Sequence, residues 1–167
     1  DRSKGKIRRI EGLEGFTFLQ QINLSYNSLT VIEGLDSLPN LIELNLAENA
    51  ISSIEGLRSL RALERLNLSG NSISRIPESI SALISLRILR IARNKLIFIE
   101  DIGNLRSLPR LSRLTLNDNP ISRIGLLRPY VILAIPHLNV LDGLDILADE
   151  HDSVRALWTK PEKHADL

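Results

Sequence analysis

The sequence predicts an α/β solenoid, a right-handed superhelix with a short parallel β-sheet on its concave face and turns or 3-10 segments on its convex face. Three observations predict it. The tetrapeptide IEGL recurs at residues 10–13, 32–35 and 54–57, each 22 residues after the last. Five segments, LQQINLSYNSL (19–29), LIELNLAENAI (41–51), LERLNLSGNSI (63–73), LRILRIARNKL (86–96) and LSRLTLNDNPI (111–121), fit LxxLxLxxNxL with Leu or Ile at the apolar positions. Their asparagines, Asn27, Asn49, Asn71, Asn94 and Asn119, are spaced by 22, 22, 23 and 25 residues. Composition agrees: 43% hydrophobic residues with only 4% aromatic ones imply a core of Leu and Ile rather than rings. A period of this length marks stacked coils that bury their apolar faces only against each other.

Each element follows from the pattern. Residues 1–18 are expected to be a partial first repeat or an N-terminal cap. In that segment IRRIEGLEGF (7–16) is the convex half of a coil, and DRSKG (1–5) takes the place of its strand without the leucines. Residues 19–127 hold five coils. Strand alternation sends Leu66 and Leu68 inward and Asn67 outward. The recurrent Asn ends each strand, where its amide can satisfy backbone groups of its own and the adjacent coil. In IEGL the first and last letters point inward, and Gly12, Gly34 and Gly56 let the convex side turn tightly.

The convex segment then changes. IPESISAL (76–83) brings Pro77 and one added residue, predicting a slightly longer helical turn, and IEDIGNLRSLPRL (99–111) is longer again. Residues 128–158 are expected to close the array. Pro129 suits a first helical turn, Pro136 stops that helix, and Leu138 and Leu141 supply a last partial strand. ADEHDSVRALW (148–158) predicts a second helix with an acidic start that complements the helix dipole, covering the open end with Val154, Leu157 and Trp158. Residues 159–167 read as a polar tail or linker.

Several function classes fall away. Cysteine is absent, which excludes disulfides and zinc thiolates and favours an intracellular setting. No apolar run approaches a membrane span of about 18 residues, and no signal peptide opens the chain, so a soluble segment is expected. The chain starts at Asp1 and has no Met, as expected of a piece of a longer protein. His137, His151 and His164 are far apart, and DEHD (149–152) opens a helix, where acidic residues belong. GKIRR (5–9) lacks the glycines and Ser/Thr of a phosphate loop. No catalytic, metal or cofactor site is expected, and no small-molecule substrate.

The 22-residue period with IxxIEGLxxLxxLxxLxLxxNxI resembles the leucine-rich repeats of the class typified by the nuclear regulatory subunit of protein phosphatase 1. Arg128, Val131, Ile132, Pro136, Leu138, Leu141, Asp142 and Gly143 match the terminal cap YRxxVIxxLPxLxxLDG that this class shares with an axonemal dynein light chain and a spliceosomal leucine-rich subunit. Leu127 stands where the tyrosine is expected. The repeat order, with its IP insertion, is most similar to centriolin and related centrosomal or ciliary proteins. The resemblance covers residues 7–158. It implies a non-catalytic protein-interaction module, a scaffold or adaptor of a cytoskeletal, centrosomal or ciliary protein in the cytoplasm. The alternative it allows is a regulatory subunit that docks a phosphatase or a dynein motor.

The partner surface has to be read from outward positions. From Arg65 onward, Arg90, Arg93 and Arg113 gather around Ile88 on the concave face. Arginines around an exposed aliphatic residue fit a protein partner with acidic groups, since guanidinium makes planar, directional contacts to carboxylates. A second candidate is the loop edge KLIF (95–98), where Ile97 and Phe98 replace Ser52 and Ser53 of a sister coil. A net charge of +1 and no exposed aromatic row argue against nucleic acid. A monomer binding one protein partner, with no membrane, is the expectation.

Overall fold

A computed structural model describes the backbone of residues 6–159 and the side chains of residues 6–156. The strand position assigned to residues 1–5, the covering role of Leu157 and Trp158, and the tail beyond residue 159 lie outside the described residues. The chain is an α/β solenoid. Strands β1 (Gln21–Asn23), β2 (Glu43–Asn45), β3 (Arg65–Asn67), β4 (Ile88–Arg90), β5 (Arg113–Thr115) and β6 (Val140–Leu141) pair in parallel in chain order. Each coil contributes one strand; the central residues of β2 to β5, Leu44, Leu66, Leu89 and Leu114, are buried, and Ile22 of β1 is half-buried.

The convex side runs from tight turns to helical turns in the order the sequence predicts. Gly34 and Gly56 have φ of +70° and +75°, and a Cβ at either would collide with the carbonyl of Ile10 or Ile32 in the preceding coil. Glycine is needed there for conformation and for close stacking. Gly12 has the same φ of +75° but meets nothing, because among the described residues no coil precedes it. From the third coil the glycine gives way to 3-10 helices, η1 (Glu78–Ala82) and η2 (Ile99–Ser107), and a short η3 (Pro120–Arg123) follows the last Asn.

The five asparagines are the hydrogen-bonding spine. Asn71 is representative: its Oδ1 accepts from Ile51 N–H at 2.9 Å, and its Nδ2 donates to Leu46 O at 3.0 Å and Leu68 O at 2.9 Å. Each Leu carbonyl therefore accepts from its own Asn and from the Asn of the next coil, as Leu68 O does from Asn71 and Asn94. At the end of the ladder Ser122 Oγ donates to Leu116 O at 2.9 Å and replaces the missing next Asn. This keeps the buried turn backbone paired.

The C-terminal closure has two parts that the sequence reading did not specify. After β6, Asp142 and Gly143, with φ of 52° and 81°, turn the chain back as β7 (Leu144–Asp145), antiparallel to β6. Two positive φ values at Asp-Gly are those of a tight hairpin turn. Helix α1 (Leu127–Ala134) then packs on α2 (Ala148–Thr159), and Arg128 joins them by donating to both Glu150 carboxylate oxygens, at 2.6 and 2.8 Å, and to Asp145 O at 2.9 Å. Leu138, Leu141 and Val154 are buried beneath this layer. At the other end Phe16 occupies the position of Leu38 and Leu60. Those leucines are 0% exposed, whereas Phe16 is 58% exposed.

Candidate functional site

The parallel register builds the concave face one row at a time. Gln21, Glu43, Arg65, Ile88, Arg113 and Val140 form one row, and Asn23, Asn45, Asn67, Arg90 and Thr115 form the next. Ile88 therefore lies between Arg65 and Arg113 on neighbouring strands, with Arg90 two residues along its own strand. A shallow depression is lined here by Glu43, Arg65, Asn67, Ile88 and Arg90 among others.

The four arginines are not equivalent. Arg65 is turned back to Glu43 of β2, with Nε 3.0 Å and Nη2 2.9 Å from the carboxylate. Arg93 is not on a strand. It sits in the turn after β4 at φ 52° and is ion-paired with Glu48, two coils away. That reach is possible because Gly70 occupies the same turn position in the intervening coil, and a Cβ there would strike the Glu48 carboxylate. Arg65 and Arg93, of the four arginines read from the sequence, are thus ion-paired within the chain. Arg90 and Arg113 are exposed and have no carboxylate partner among the described residues.

The loop edge carries a local explanation. Phe98 is 40% exposed, and the Arg75 guanidinium lies over its ring at 4.0 Å from the centroid. Arg75 also grips Asp101 through two hydrogen bonds of 2.7 and 2.9 Å, and buried Asp101 accepts from Ile76 N–H at 3.0 Å. Position 98 stacks on position 75 because they are the same site in successive coils, so the aromatic ring completes an edge ladder. Ile97, 52% exposed, has no such cover. The signal for this arrangement was present in the sequence as the shared position of Arg75 and Phe98, but Asp101 is 26 residues from Arg75 and was not paired with it.

Asn67, which points outward and is half-buried, has a local hydrogen bond of its own. Its Oδ1 accepts from Ser69 N–H at 3.1 Å, and Asn45 and Asn23 make the same bond to Ala47 and Ser25 N–H at 3.1 and 3.0 Å. These local bonds steer the chain out of each strand, as Asn does in turns.

Other surfaces offer less. An open convex cleft of about 430 Å³ lies between η1 and η2, lined by Glu78, Ser81, Gly103, Asn104, Arg106 and Ser107. Its charges are mixed, and Asn104 already donates to Ile76 O at 2.7 Å. Among the described residues no His, Cys, Asp or Glu group has the arrangement of a metal site, and no helix is long and apolar enough to cross a membrane. His137 Nε2 lies 2.8 Å from Leu108 O, a bond within the solenoid.

Comparison with known proteins agrees with the geometry. A family model described as leucine-rich repeat matches residues 20–165. An internalin (InlF) from Listeria monocytogenes is 26% identical with a TM-score of 0.70, over 84% of this chain and 39% of that one. A leucine-rich repeat protein of Leptospira interrogans is 26% identical with a TM-score of 0.70, over 81% and 34%. A chain of the Drosophila melanogaster SNF/U2A′ complex is 25% identical with a TM-score of 0.62, over 93% and 78%. The chain thus spans about two fifths of the length of that internalin. No curated protein sequence matches it.

Proposed function

The chain belongs to the leucine-rich repeat family, whose domains are in general protein–protein interaction modules, and from that premise we propose that its concave face docks an acidic protein partner. The observation that carries this reading is the contrast among the arginines. Arg65 and Arg93 are held by Glu43 and Glu48, whereas Arg90 and Arg113 flank half-buried Ile88 with their guanidinium groups unmatched. Unmatched cations beside an apolar patch steer an acidic partner and leave a dry contact at the centre. The module acts as a monomeric, non-catalytic scaffold or adaptor segment of a larger cytoplasmic protein, of the cytoskeletal, centrosomal or ciliary kind that the repeat order resembles. A second reading, a regulatory subunit docking a phosphatase or a dynein motor, draws on the α1 to β6 closure, whose sequence resembles the cap of the phosphatase-regulator class except at Leu127.

Affinity capture with the parent chain and with Arg90→Glu as bait tests the proposal. A partner lost from the variant is then titrated. Its affinity is expected to fall by about tenfold or more, about 1.4 kcal/mol, with the melting temperature unchanged, since Arg90 is exposed and has no ion-pair partner among the described residues. Ile88→Ser weakens binding with less salt dependence, because its share is apolar burial. Loss of binding in Phe98→Ser, with Arg90→Glu and Ile88→Ser unchanged, would place the interface at the loop edge and refute the concave reading.

A further inference from the structure

The concave row formed by Asn23, Asn45, Asn67 and Arg90 presents a line of unengaged donors. In each asparagine the amide oxygen is already committed: Asn23 Oδ1 accepts from Ser25 N–H and from Ser25 Oγ, Asn45 Oδ1 from Ala47 N–H, and Asn67 Oδ1 from Ser69 N–H. Among the described residues none of the three Nδ2 groups has an acceptor, and none of the three is sealed from solvent. Four residues further along, Asn27, Asn49 and Asn71 turn their Nδ2 groups inward to the turn carbonyls. One residue type is thus used in opposite senses, and the outward set ends in the free guanidinium of Arg90.

Geometry selects what can meet this row. Adjacent strands are about 4.8 Å apart, so the four donors span about 14 Å across β1–β4. An extended peptide places side chains of one face about 6.7 Å apart and would be out of step by the fourth donor, at about 20 Å. An α-helix rises about 1.5 Å per residue, so positions i, i+3, i+7 and i+10 lie on one face and span about 15 Å. Charge selects the side chains. Glu43 and Glu48 are neutralised by Arg65 and Arg93, which leaves Arg90 and Arg113 in surplus. Beyond β5 the carboxylate of Asp142 faces the turn backbone of Leu116 and Asn117, so the acidic match ends there.

We infer that the asparagine–arginine row reads a partner α-helix lying across β1–β4, with carboxylates at i, i+3, i+7 and i+10. The inference rests on the concave face being the docking surface and adds the partner's secondary structure and its pattern. It is tested with two synthetic helical peptides of equal composition, one with four glutamates at that spacing and one with the same glutamates spread around the helix. The proteins are the parent chain, Asn45→Asp/Asn67→Asp, Asn45→Ser/Asn67→Ser and Arg90→Glu. Asp and Ser can both still accept the N–H two residues on, so the fold is kept while the Nδ2 donors are removed.

The face-patterned peptide is expected to bind the parent at least about tenfold more tightly than the spread one. Both double variants lose that preference, the Asp pair more than the uncharged Ser pair, with unchanged melting temperatures. Equal binding of the two peptides, no binding by either, or a preference that survives in the Ser pair overturns the inference. If Arg90→Glu weakens both peptides alike while the asparagine variants do nothing, the docking face stands and the helix-reading row falls. If Arg90→Glu also leaves captured partners untouched, the docking face falls with it.

Discussion

Asn71→Ala separates a buried spine from a surface row more sharply than any other single change. The side chain accepts from Ile51 N–H and donates to Leu46 O and Leu68 O, with a longer contact of 3.5 Å to Ser69 O. Its loss is not uniform across them. Leu46 O keeps the donor from Asn49, and Leu68 O keeps that from Asn94. Ile51 N–H keeps nothing and is buried. One orphaned buried donor costs about 1–3 kcal/mol and each weakened carbonyl a few tenths more, so a loss of about 2–3 kcal/mol is expected. For a domain of this size that lowers the melting temperature by about 5–10 °C. Asn67→Ala, four residues away, loses one bond to the partly exposed Ser69 N–H and should stay within about 0.5 kcal/mol. Urea melts of both variants, with equal slopes, decide it. Equal losses would mean that the two asparagines are not divided between spine and surface, and the reasoning would fail.

The remaining predictions concern stacking and closure. Gly56→Ala should cost clearly more than Gly12→Ala, although both have φ of +75°, because only at Gly56 does the new Cβ meet the preceding coil at Ile32; Gly12→Ala carries conformational strain alone, about 1–2 kcal/mol, and thermal melts that rank them equally contradict the stacking argument. The hydrogen bonds from Arg128 hold the Glu150 carboxyl below the usual carboxylate range. A depressed carboxyl contributes stability above its unfolded value, about 4.3, and that contribution is lost as the pH falls through the folded value. The stability gap between the parent and Glu150→Gln should therefore shrink as the pH falls below the unfolded value of about 4.3; melts showing a gap that grows in acid would reverse the assignment.

The coil arrangement was legible because repetition writes the same constraint several times. The leucine positions, the inward asparagines, the row order on the concave face and the lengthening convex turns all follow from aligning one coil on another. What escaped the sequence is what joins coils through long side chains. Arg93 reads as a free surface arginine until Glu48 is seen to pass over Gly70, and Arg65 until Glu43 is placed beside it. Arg128 and Glu150 are 22 residues apart in a region with no repeat to align. The β6–β7 hairpin was signalled by Asp142-Gly143, a pair suited to two positive φ values, but the strands are two residues each and carry no periodicity. The role of Asn67 depends on which end of its amide is engaged, and no sequence pattern records that.

The central claim is that the concave face, from Asn45 on β2 to Arg113 on β5, is the working surface. The most direct measurement is an NMR titration of the isotope-labelled chain with a partner recovered by capture, following the side-chain resonances of Asn45, Asn67, Arg90 and Arg113 together with those of Phe98 at the loop edge and Asn104 on the convex side. The account predicts saturable shifts at the first four with Phe98 and Asn104 unmoved. Shifts confined to Phe98 or Asn104, with the concave signals still, would contradict it.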